Sequence, residues 1–502
     1  MTQHQSVGSE YEERRVKVAQ LREKGIDPYP ADAHRTHTVA QALADFDALA
    51  RRDEERDGAH VTVREGTVIT LAGRLRSKRQ HGNLTFADLQ DESGTIQLAF
   101  SKKDIGAEAY KMFAKLIDQS DFVEVSGVLF TTKVGVQSLA VQSYRLLTKA
   151  LRSVPKEHFG LADEEERYRK RYLTLLLDEE LRARFRRRAQ FWATLRAFMT
   201  ARGFLEVETP TLEVTTGGAE ARPFRTHHND YDMDVYMRIC IGELWQKRLM
   251  AAGFEKTFEI GRAYRNEGTS PNHLQEFTNM EFYWAYADYR DGMRLVQELY
   301  RTVAQEVYGT TRFSAHGHTF DLSDEWHTID YVSEVRERTG VDVLTASAEE
   351  IAAKLDALGV KHDAKTRERL VDNLWKYCRK DIAGPAFLVN HPAFLAPLSK
   401  RKADNPEQVE KFQVIIAGAE VGNGYSELND PQDQRARFEA QQKLLEAGDD
   451  EAMMPDWEFV EMLEYGMPPT CGFGVGERLF AFLEGVTLRD ATLFPLMKPK
   501  GE

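Results

Sequence analysis

The apolar pattern changes at about residue 61, and this change narrows the choice of folds. From residue 61 to 148, apolar and polar residues alternate in short segments separated by glycine turns, which is typical of strands with one buried face. The segments occur as three strands, a helix at roughly 106–118 and two further strands. This is the order of an OB-fold, a small barrel that often binds single-stranded nucleic acid. Strand order alone leaves a purely structural barrel equally open.

Helical patterns dominate before the barrel. Residues 10–25 predict a charged amphipathic helix that stops at Gly25, and a second polar helix is predicted over 38–56. We therefore assign residues 1–60 to an N-terminal helical extension and residues 61–148 to the barrel.

The remainder of the chain begins with a charge-rich stretch over 149–180, which we interpret as a linker. Residues 181–502 are predicted to form one large domain of mixed helices and strands, including a long helix that ends at Gly203. The strict alternation of strand and helix seen in doubly wound folds is missing from this sequence. Neither a P-loop motif nor a dinucleotide-binding glycine motif occurs in it.

The composition excludes several classes of protein. A chain of 502 residues is long enough for two or three domains. It contains no long apolar run and no signal-peptide core, so we expect no membrane span and a cytoplasmic location. Cys240, Cys378 and Cys471 lie far apart and suit buried positions in a reducing compartment. The net charge of −13 weighs mildly against a nucleic-acid partner, although acidic proteins also present local basic patches.

Three separated segments carry the residues best suited to chemistry. They are GFLEVETPTLEVTTGGAEARPF, FEIGRAYRNEGTSPNHLQEFTNMEFYWAYADY and GFGVGERLFAFLEGVTLRDATLFP. Each has a structural explanation when it is taken alone. Pro210 could end a strand, Arg265 and Glu267 could pair on a surface, and the glycines near 472 could form a turn.

In this order the three segments resemble the three signature motifs of class II aminoacyl-tRNA synthetases. With an OB-like barrel before them, the chain resembles the lysine/aspartate/asparagine subgroup, and the resemblance runs from RRVKVAQLREKGIDPYP to TLFPLMKP. It implies an α+β fold, with an antiparallel-sheet catalytic domain flanked by helices and an N-terminal OB-fold barrel. It also implies a homodimer formed through the first motif, and ATP-dependent activation of an amino acid that is then transferred to the 3′ end of a tRNA.

The chemistry of activation explains several residue types. An amino-acid carboxylate attacks the α-phosphate of ATP and expels pyrophosphate, so the site needs alignment and charge neutralisation more than a protein nucleophile. The planar fork of Arg265 suits the carboxylate and the α-phosphate. The resemblance implies catalytic roles for Arg265 and Arg478 and an ATP site that comprises Arg265, Glu267, His273, Phe277 (stacked on adenine), Glu420 and Arg478 (near the γ-phosphate).

The charge of the expected pocket indicates which amino acid is activated. A buried lysine ammonium must be paired with a carboxylate, so a lysine pocket is acidic, whereas an aspartate pocket is basic. The segments GELWQKR, NMEFYW and GNGYSELND offer mostly acidic and polar side chains. In bacterial lysine-type enzymes the matching positions bind lysine, which implies a site made of Gly218, Glu243, Arg265, Glu281, Tyr283, Asn423 and Glu427. In that assignment Glu281, Tyr283 and Glu427 face the side-chain amine. The alternative is a set of carboxylates scattered on a solvated face.

The barrel carries the expected tRNA contacts. Phe86 and Gln97 lie on neighbouring predicted strands, where an aromatic ring stacks on an unpaired base and an amide reads a base edge. Arg79 adds a phosphate or base contact. A single phenylalanine on a strand is more often a core residue, but the resemblance implies that these three positions bind the anticodon of tRNA(Lys).

The sequence departs from the family pattern at three places. In the third motif, Glu477 and Arg478 follow Gly476 directly, one residue earlier than usual. Glu420 matches a Mg²⁺ ligand, but Gln413 stands where a second metal-binding glutamate is usual, which predicts only a weak ligand there because an amide brings no charge. Phe394 stands where an acidic residue is usual.

Three functions remain in competition. The first is a lysine–tRNA ligase that uses ATP and Mg²⁺. The second is a divergent paralogue that activates lysine for another acceptor or for dinucleotide synthesis. The third is a weakly active or non-catalytic tRNA-binding homologue. The barrel argues against a protein acceptor, and Arg265, Glu267, Phe277 and Arg478 argue against a non-catalytic binder.

Overall fold

The computed structural model describes residues 2–56, 59–155, 163–219, 221–268, 270, 273–362, 366–448 and 452–500. The chain divides into two compact units, Met1–Ala162 and Asp163–Glu502. In the described residues, no helix combines the length and the apolar composition needed to cross a bilayer.

The first unit contains the helical extension and the barrel. Its helices are α1 (Thr2–Glu23), α2 (Val39–Ala44), α3 (Phe46–Leu49), α4 (Lys102–Ile105) and α5 (Ala107–Leu116). Its strands are β1 (Arg52–Arg56), β2 (Ala59–Arg64), β3 (Val68–His81), β4 (Leu84–Gln90), β5 (Thr95–Ser101), β6 (Phe122–Thr131) and β7 (Gln137–Thr148).

Strands β3 to β7 form a closed barrel in the order β3-β4-β5-β7-β6, with α4 and α5 between β5 and β6. All neighbours are antiparallel except β5 and β7. Alternate residues of β4, such as Ala87 and Leu89, are buried in the barrel core. The predicted OB-fold is confirmed, because the alternating pattern places one face of each strand inside.

The predicted second helix over 38–56 is wrong in its C-terminal half. A capping box at Thr38 starts α2, and the helical segments end at Leu49. Residues Arg52–Arg56 are a strand that pairs antiparallel with Ala59–Arg64. Val61 and Thr62 favour the extended conformation, so the hairpin replaces the last helical turns.

The second unit is built on one large sheet. Its helices are α6 (Glu164–Arg169), α7 (Arg171–Leu177), α8 (Glu179–Ala201), α9 (Glu243–Ala251), α10 (Tyr289–Tyr308), α11 (Tyr331–Thr339), α12 (Ala348–Ala357), α13 (Arg367–Cys378), α14 (Pro431–Glu446), α15 (Trp457–Tyr465) and α16 (Glu477–Leu483), with 3-10 turns at Arg379–Asp381 and Ala393–Leu395.

Its strands are β8 (Leu205–Glu206), β9 (Leu212–Glu213), β10 (Arg225–His228), β11 (Met233–Met237), β12 (Lys256–Tyr264), β13 (Glu276–Ala285), β14 (Arg312–Ala315), β15 (His318–Asp321), β16 (His327–Asp330), β17 (Ala386–Val389), β18 (Lys411–Ile416), β19 (Ala419–Ser426) and β20 (Thr470–Gly476). Eight of them form a sheet in the order β16-β17-β18-β19-β20-β13-β12-β8. Only the outermost pairs, β16 with β17 and β8 with β12, are parallel. The expected antiparallel catalytic sheet is therefore confirmed.

Helices α8 and α10 bury one side of this sheet. Asp288 and Asp291 form a capping box that starts α10, whose buried face includes Leu295 and Leu299. These side chains join a core cluster with Phe282 and other apolar residues of the central strands. The packed core holds the central strands in register, which fixes the side chains on their other face.

The charge-rich segment predicted as a linker over 149–180 is partly helical. Helices α6 and α7 lie within it and belong to the second unit, where Tyr168 is buried. Residues 156–162 lie outside the described residues. The side chain of Asp163 accepts a hydrogen bond from the amide of Glu165 and so starts α6.

Candidate active site

Three adjacent strands carry most of the candidate residues. In the register of β13, β20 and β19, Gly474 lies opposite Glu281 on one side and Asn423 on the other. One row further along, Gly472 lies between Tyr283 and Tyr425. In these two rows the middle strand therefore has glycine where both neighbours carry a polar or aromatic side chain, whereas Cys471, on its other face, lies between Trp284 and Ser426.

The glycines of β20 are required by space. A Cβ atom on Gly472 would lie 2.1 Å from Glu427 Oε1 and 2.7 Å from the Tyr283 ring. Contacts this short do not occur between non-bonded atoms. The third motif thus provides room for the side chains of the flanking strands rather than a turn.

A cavity of about 340 Å³ opens over these rows, and we call it the carboxylate cavity. It brings together all seven residues assigned to amino-acid binding, namely Gly218, Glu243, Arg265, Glu281, Tyr283, Asn423 and Glu427. Asn423 Oδ1 is buried and has no hydrogen-bond partner among the described residues, so it is available to a ligand. The alternative of carboxylates on a solvated face does not describe these residues.

Burial raises the pKa of two carboxyl groups in the cavity, those of Glu281 and Glu427. Desolvation, with a smaller contribution from Glu243, raises the pKa of Glu281 to about 7. Desolvation also raises the pKa of Glu427 to about 8, against the opposing effect of Lys247. The backbone amide of Ile241 donates to Glu281 Oε1 at 2.9 Å, and Tyr283 OH donates to Glu281 Oε2 at 3.3 Å. The cavity therefore favours a ligand that brings positive charge.

Lys247, on α9, was not among the predicted site residues. It is 1% exposed, and its Nζ lies 2.8 Å from Glu243 Oε1 and 2.5 Å from Glu427 Oε2. Tyr425 OH also donates to Glu243 Oε1. Desolvation alone would lower the pKa of Lys247, but Glu243 and Glu427 raise it overall. The sequence signal was present, because Glu243 and Lys247 are four residues apart on a helix, but such pairs are usually solvated.

A second cavity of about 240 Å³, the arginine cavity, adjoins the first. The two share Arg265, Asn279, Asn423 and Gly474 in their linings. All the residues assigned to ATP line the arginine cavity, namely Arg265, Glu267, His273, Phe277, Glu420 and Arg478. One guanidinium, that of Arg265, thus faces both cavities.

The orientation of the aromatic and imidazole groups fits this cavity. The Arg265 guanidinium carbon lies 5.2 Å from the centre of the Phe277 ring. Desolvation and the nearby Arg478 lower the pKa of His273, so its imidazole is neutral near pH 7. Arg478 lines the cavity although it follows Gly476 one residue earlier than usual.

The two candidate metal ligands also line the arginine cavity. Glu420 Oε1 accepts from Trp375 Nε1 at 2.7 Å and lies 2.9 Å from a terminal nitrogen of Arg379. Gln413 Oε1 lies 3.1 Å from His391 Nε2. Neither Trp375 nor Arg379 was predicted, because they are far from Glu420 in sequence.

Phe394 lines neither cavity, although the next residue, Leu395, lines the carboxylate cavity. It packs beside the core cluster of α11–α13, and the guanidinium carbon of Arg367 lies 4.3 Å from its ring centre. An apolar ring at this position therefore serves packing and a cation–π contact.

In the first unit, the three barrel residues share the outer face of neighbouring strands. Arg79 pairs directly with Phe86 across β3 and β4, and Gln97 lies opposite Asp88 across β4 and β5. Phe86 is partly exposed and lies outside the barrel core cluster. Gln97 Oε1 accepts from the hydroxyl of Ser138 at 3.0 Å. The arrangement offers a ring, a guanidinium and an amide on one surface.

Known protein families match both units. Residues 163–498 match the family described as tRNA synthetases class II (D, K and N). Residues 69–147 match the family described as OB-fold nucleic acid binding domain. The first match covers the sheet, both cavities and all the residues assigned to ATP and the amino acid.

Individual relatives are similar over nearly the whole chain. A lysine–tRNA ligase of Roseiflexus sp. (strain RS-1) is 44% identical over 495 residues, which is 97% of this chain and 98% of the relative. The lysine–tRNA ligase of Thermotoga maritima is 42% identical, covering 98% of this chain and 96% of the relative. That of Bacillus subtilis (strain 168) is 42% identical and covers 99% of each. Similarity of this extent, on a sheet with these motifs in register, shows that the chain belongs to the class II tRNA synthetases of the D, K and N family.

Proposed function

We propose that this protein activates L-lysine with ATP and transfers it to the 3′ end of tRNA(Lys). The main observation in support is that three buried glutamates, Glu243, Glu281 and Glu427, line one cavity that shares Arg265 with the arginine cavity. The full-length similarity to lysine–tRNA ligases supports the same substrate.

The carboxylate cavity suits lysine because buried ammonium groups need carboxylate partners. Glu281, Tyr283 and Glu427 are assigned to the side-chain ammonium, and Glu243 with Gly218 to the α-ammonium. Asn423 and Arg265 are assigned to the substrate carboxylate. An acidic amino acid would be repelled by the same three glutamates.

Arg265 aligns the two reactants, since its guanidinium faces both cavities. The lysine carboxylate attacks the α-phosphorus, a new P–O bond forms, and pyrophosphate leaves. Glu267 and His273 bind the nucleotide, Phe277 stacks on adenine and Arg478 neutralises the γ-phosphate. The terminal hydroxyl of the tRNA then attacks the activated carbonyl and releases AMP.

The arginine cavity would hold one Mg²⁺ ion, with the ATP phosphates supplying part of its ligands. Glu420 offers a carboxylate oriented by Trp375, and Gln413 offers a neutral amide oxygen. Arg379 already offsets part of the Glu420 charge, so the protein alone supplies little attraction for a cation. When bound, Mg²⁺ neutralises phosphate charge. Glu420 is the principal ligand in this proposal and Gln413 a weak one.

The barrel is proposed to bind the anticodon through Arg79, Phe86 and Gln97, which share one outer face. A ring stacked on a base and an amide on its edge suit an unpaired anticodon.

The proposal also includes a homodimeric state and a cytoplasmic location. Leu205, Leu212 and Val214, within the first motif, are exposed apolar side chains, which supports a homodimer through this segment. The three cysteines are buried free thiols, which supports a reducing, cytoplasmic environment.

A paralogue with another acceptor would still activate lysine but would not need an exposed Phe86 face on the barrel. A non-catalytic tRNA binder would not need Arg265, Glu267, Phe277 and Arg478 in one cavity. Both are less well supported than the ligase.

ATP–pyrophosphate exchange with each of the twenty amino acids, followed by charging of tRNA(Lys), tests the proposal. We expect exchange with lysine alone and lysine-dependent charging. Exchange that prefers another amino acid would overturn the substrate, and exchange without charging would favour the paralogue.

A further inference from the structure

Behind the carboxylate cavity lies an ammonium group that the reaction does not use. Lys247 is 1% exposed and its Nζ bridges Glu243, at 2.8 Å, and Glu427, at 2.5 Å. Both carboxylates line the cavity. A buried lysine is costly unless it is paired, and here it is paired with two groups that are assigned to the substrate.

Aromatic rings enclose the same ammonium. Lys247 Nζ lies 5.5 Å from the ring centre of Tyr425 and 5.9 Å from those of Tyr283 and Phe459. Tyr283 and Tyr425 also line the cavity. The ammonium is therefore buried directly behind the cavity wall, among side chains that line the cavity.

The charges of wall and ligand can be compared directly. The buried carboxylates Glu243, Glu281 and Glu427, when all three are ionised, and the Lys247 ammonium have a net charge of −2; the partly buried Lys411, which also lines the cavity, is not part of this buried group. Free lysine carries two ammonium groups, and its carboxylate is met by Arg265. The two substrate ammonium groups therefore balance the charge of the buried group, whereas an amino acid with an uncharged side chain leaves one buried carboxylate without a partner.

We infer that Lys247 is a specificity-determining residue, whose ammonium sets the charge of the carboxylate cavity to the value that matches an amino acid with two ammonium groups. This inference rests on the proposed function, since it takes lysine as the substrate. Burial raises the pKa of Glu281 to about 7 and that of Glu427 to about 8, so these carboxyls take up protons in the empty cavity and are fully ionised only when a cationic ligand is bound. Lys247 lowers the pKa of Glu427 and so favours its ionised form.

The simpler alternative is that Lys247 only pins Glu427 in place. The two explanations differ when both charges are removed together. The Glu427→Gln change brings the net charge from −2 to −1, and adding Lys247→Met returns it to −2 while also removing the pin. A charge-setting role therefore predicts that the double variant recovers selectivity for lysine, whereas a pinning role predicts no recovery, because the pinned Glu427 is already absent.

The experiment compares wild type, Glu427→Gln and the Glu427→Gln/Lys247→Met double variant. Dissociation constants for L-lysine and for 6-hydroxynorleucine, which has a neutral hydroxyl in place of the side-chain ammonium, are measured by calorimetry without ATP or tRNA. We expect wild type to prefer lysine by on the order of 30-fold or more, as for a buried charge pair that loses one partner. Glu427→Gln should lose most of this preference.

The double variant should regain at least about tenfold of the preference for lysine, which corresponds to roughly one charge pair of the weaker kind. Thermal unfolding of each protein shows whether it is folded. A double variant that is no more selective than Glu427→Gln would overturn the inference. So would a double variant that fails to fold while Glu427→Gln folds, because Lys247 would then be needed in the fold as the buried partner of Glu243 and not to set the charge of the cavity.

The wild-type measurement separates this test from that of the proposed function. If wild type does not prefer lysine, the substrate proposal itself fails. If wild type prefers lysine and only the recovery is missing, lysine remains the substrate and the role of Lys247 is confined to packing.

Discussion

At the scale of single residues, we expect the protonation of Glu281 and Glu427 to affect ligand binding. Their pKa values of about 7 and about 8 mean that protons compete with a cationic ligand near neutral pH. We expect the dissociation constant for lysine to rise as the pH falls from 8 to 6, by up to about tenfold per unit for each proton taken up. Calorimetry in two buffers of different ionisation enthalpy measures both this change and the protons released. A constant affinity over this range would contradict the assignment.

The same groups link stability to pH. A carboxyl whose pKa is raised from 4.5 to about 7 binds its proton more tightly in the folded protein than in the unfolded chain. Its contribution to stability is therefore present at low pH and is lost as the pH rises toward 7. Lysine favours the ionised form, so its stabilising shift in Tm should be larger at pH 8 than at pH 6.

Replacing Glu281 tests the pocket directly. The Glu281→Gln change leaves a buried substrate ammonium short of a partner, which should cost roughly 2–5 kcal/mol of lysine binding. Lysine-dependent ATP–pyrophosphate exchange measures the loss as a higher KM for lysine. Glu276→Gln, an exposed position on the same strand, is the matched control and should leave KM unchanged. An unchanged KM in Glu281→Gln would exclude this residue from the pocket.

Gln413 is the residue at which the proposed metal site differs from the family pattern. Restoring a carboxylate with Gln413→Glu should lower the Mg²⁺ concentration that gives half-maximal exchange, because Glu420 is already paired with Arg379. Glu420→Gln should nearly abolish exchange. A magnesium titration of the three proteins gives the midpoints. If Gln413→Glu leaves the midpoint unchanged, position 413 does not contact the metal.

At the scale of elements, strand β20 determines the shape of the site. The Gly472→Ala change places a methyl group within 2.1 Å of Glu427 Oε1, so Glu427 or Tyr283 must move. We expect the affinity for lysine to fall by about 5- to 150-fold, which corresponds to the roughly 1–3 kcal/mol cost of overpacking. ATP binding should persist. In the matched control, Gly94→Ala, the new methyl meets only Val39 at 3.4 Å, and lysine affinity should not change. Equal affinity in both variants would contradict the role of the strand.

The same scale shows which elements the sequence predicts well. The barrel was predictable because each strand carries its own alternating pattern, as in β4. The hairpin of β1 and β2 was not, because charged residues such as Asp53 and Glu54 also suit a solvated helix, and only pairing with β2 decides between the two. Lys247 was missed for a related reason, since tertiary packing turns an ordinary helical pair with Glu243 into a buried one.

The remaining site residues were assigned from the resemblance to the family. It brought together residues as distant as Gly218 and Glu427, which no local pattern relates. It did not reveal Trp375 and Arg379 beside Glu420, because the motif supplies the ligand and not its neighbours.

At the scale of the whole molecule, the two units should perform separable steps. Phe86→Ala removes a ring from the barrel surface, which should cost roughly 1–3 kcal/mol of tRNA binding for each lost stack. Charging of tRNA(Lys) should fall while exchange persists. Phe100→Ala is the control, since Phe100 is 0% exposed and stacks on Phe113, so its removal should lower the Tm of the barrel. Loss of Tm in Phe86→Ala would instead make it a core residue.

The glycine pattern of β20 has a consequence for how such a protein changes its substrate. At Gly472 and Gly474 the middle strand has no side chains. The side chains that line the cavity come from the two flanking strands, Glu281 and Tyr283 from β13 and Asn423 and Tyr425 from β19. Substitutions on the flanking strands β13 and β19 leave the backbone of β20 unchanged. A library that varies those positions and keeps Gly472 and Gly474 fixed should therefore yield folded proteins with altered ligands, whereas one that varies the glycines should mostly yield occluded sites.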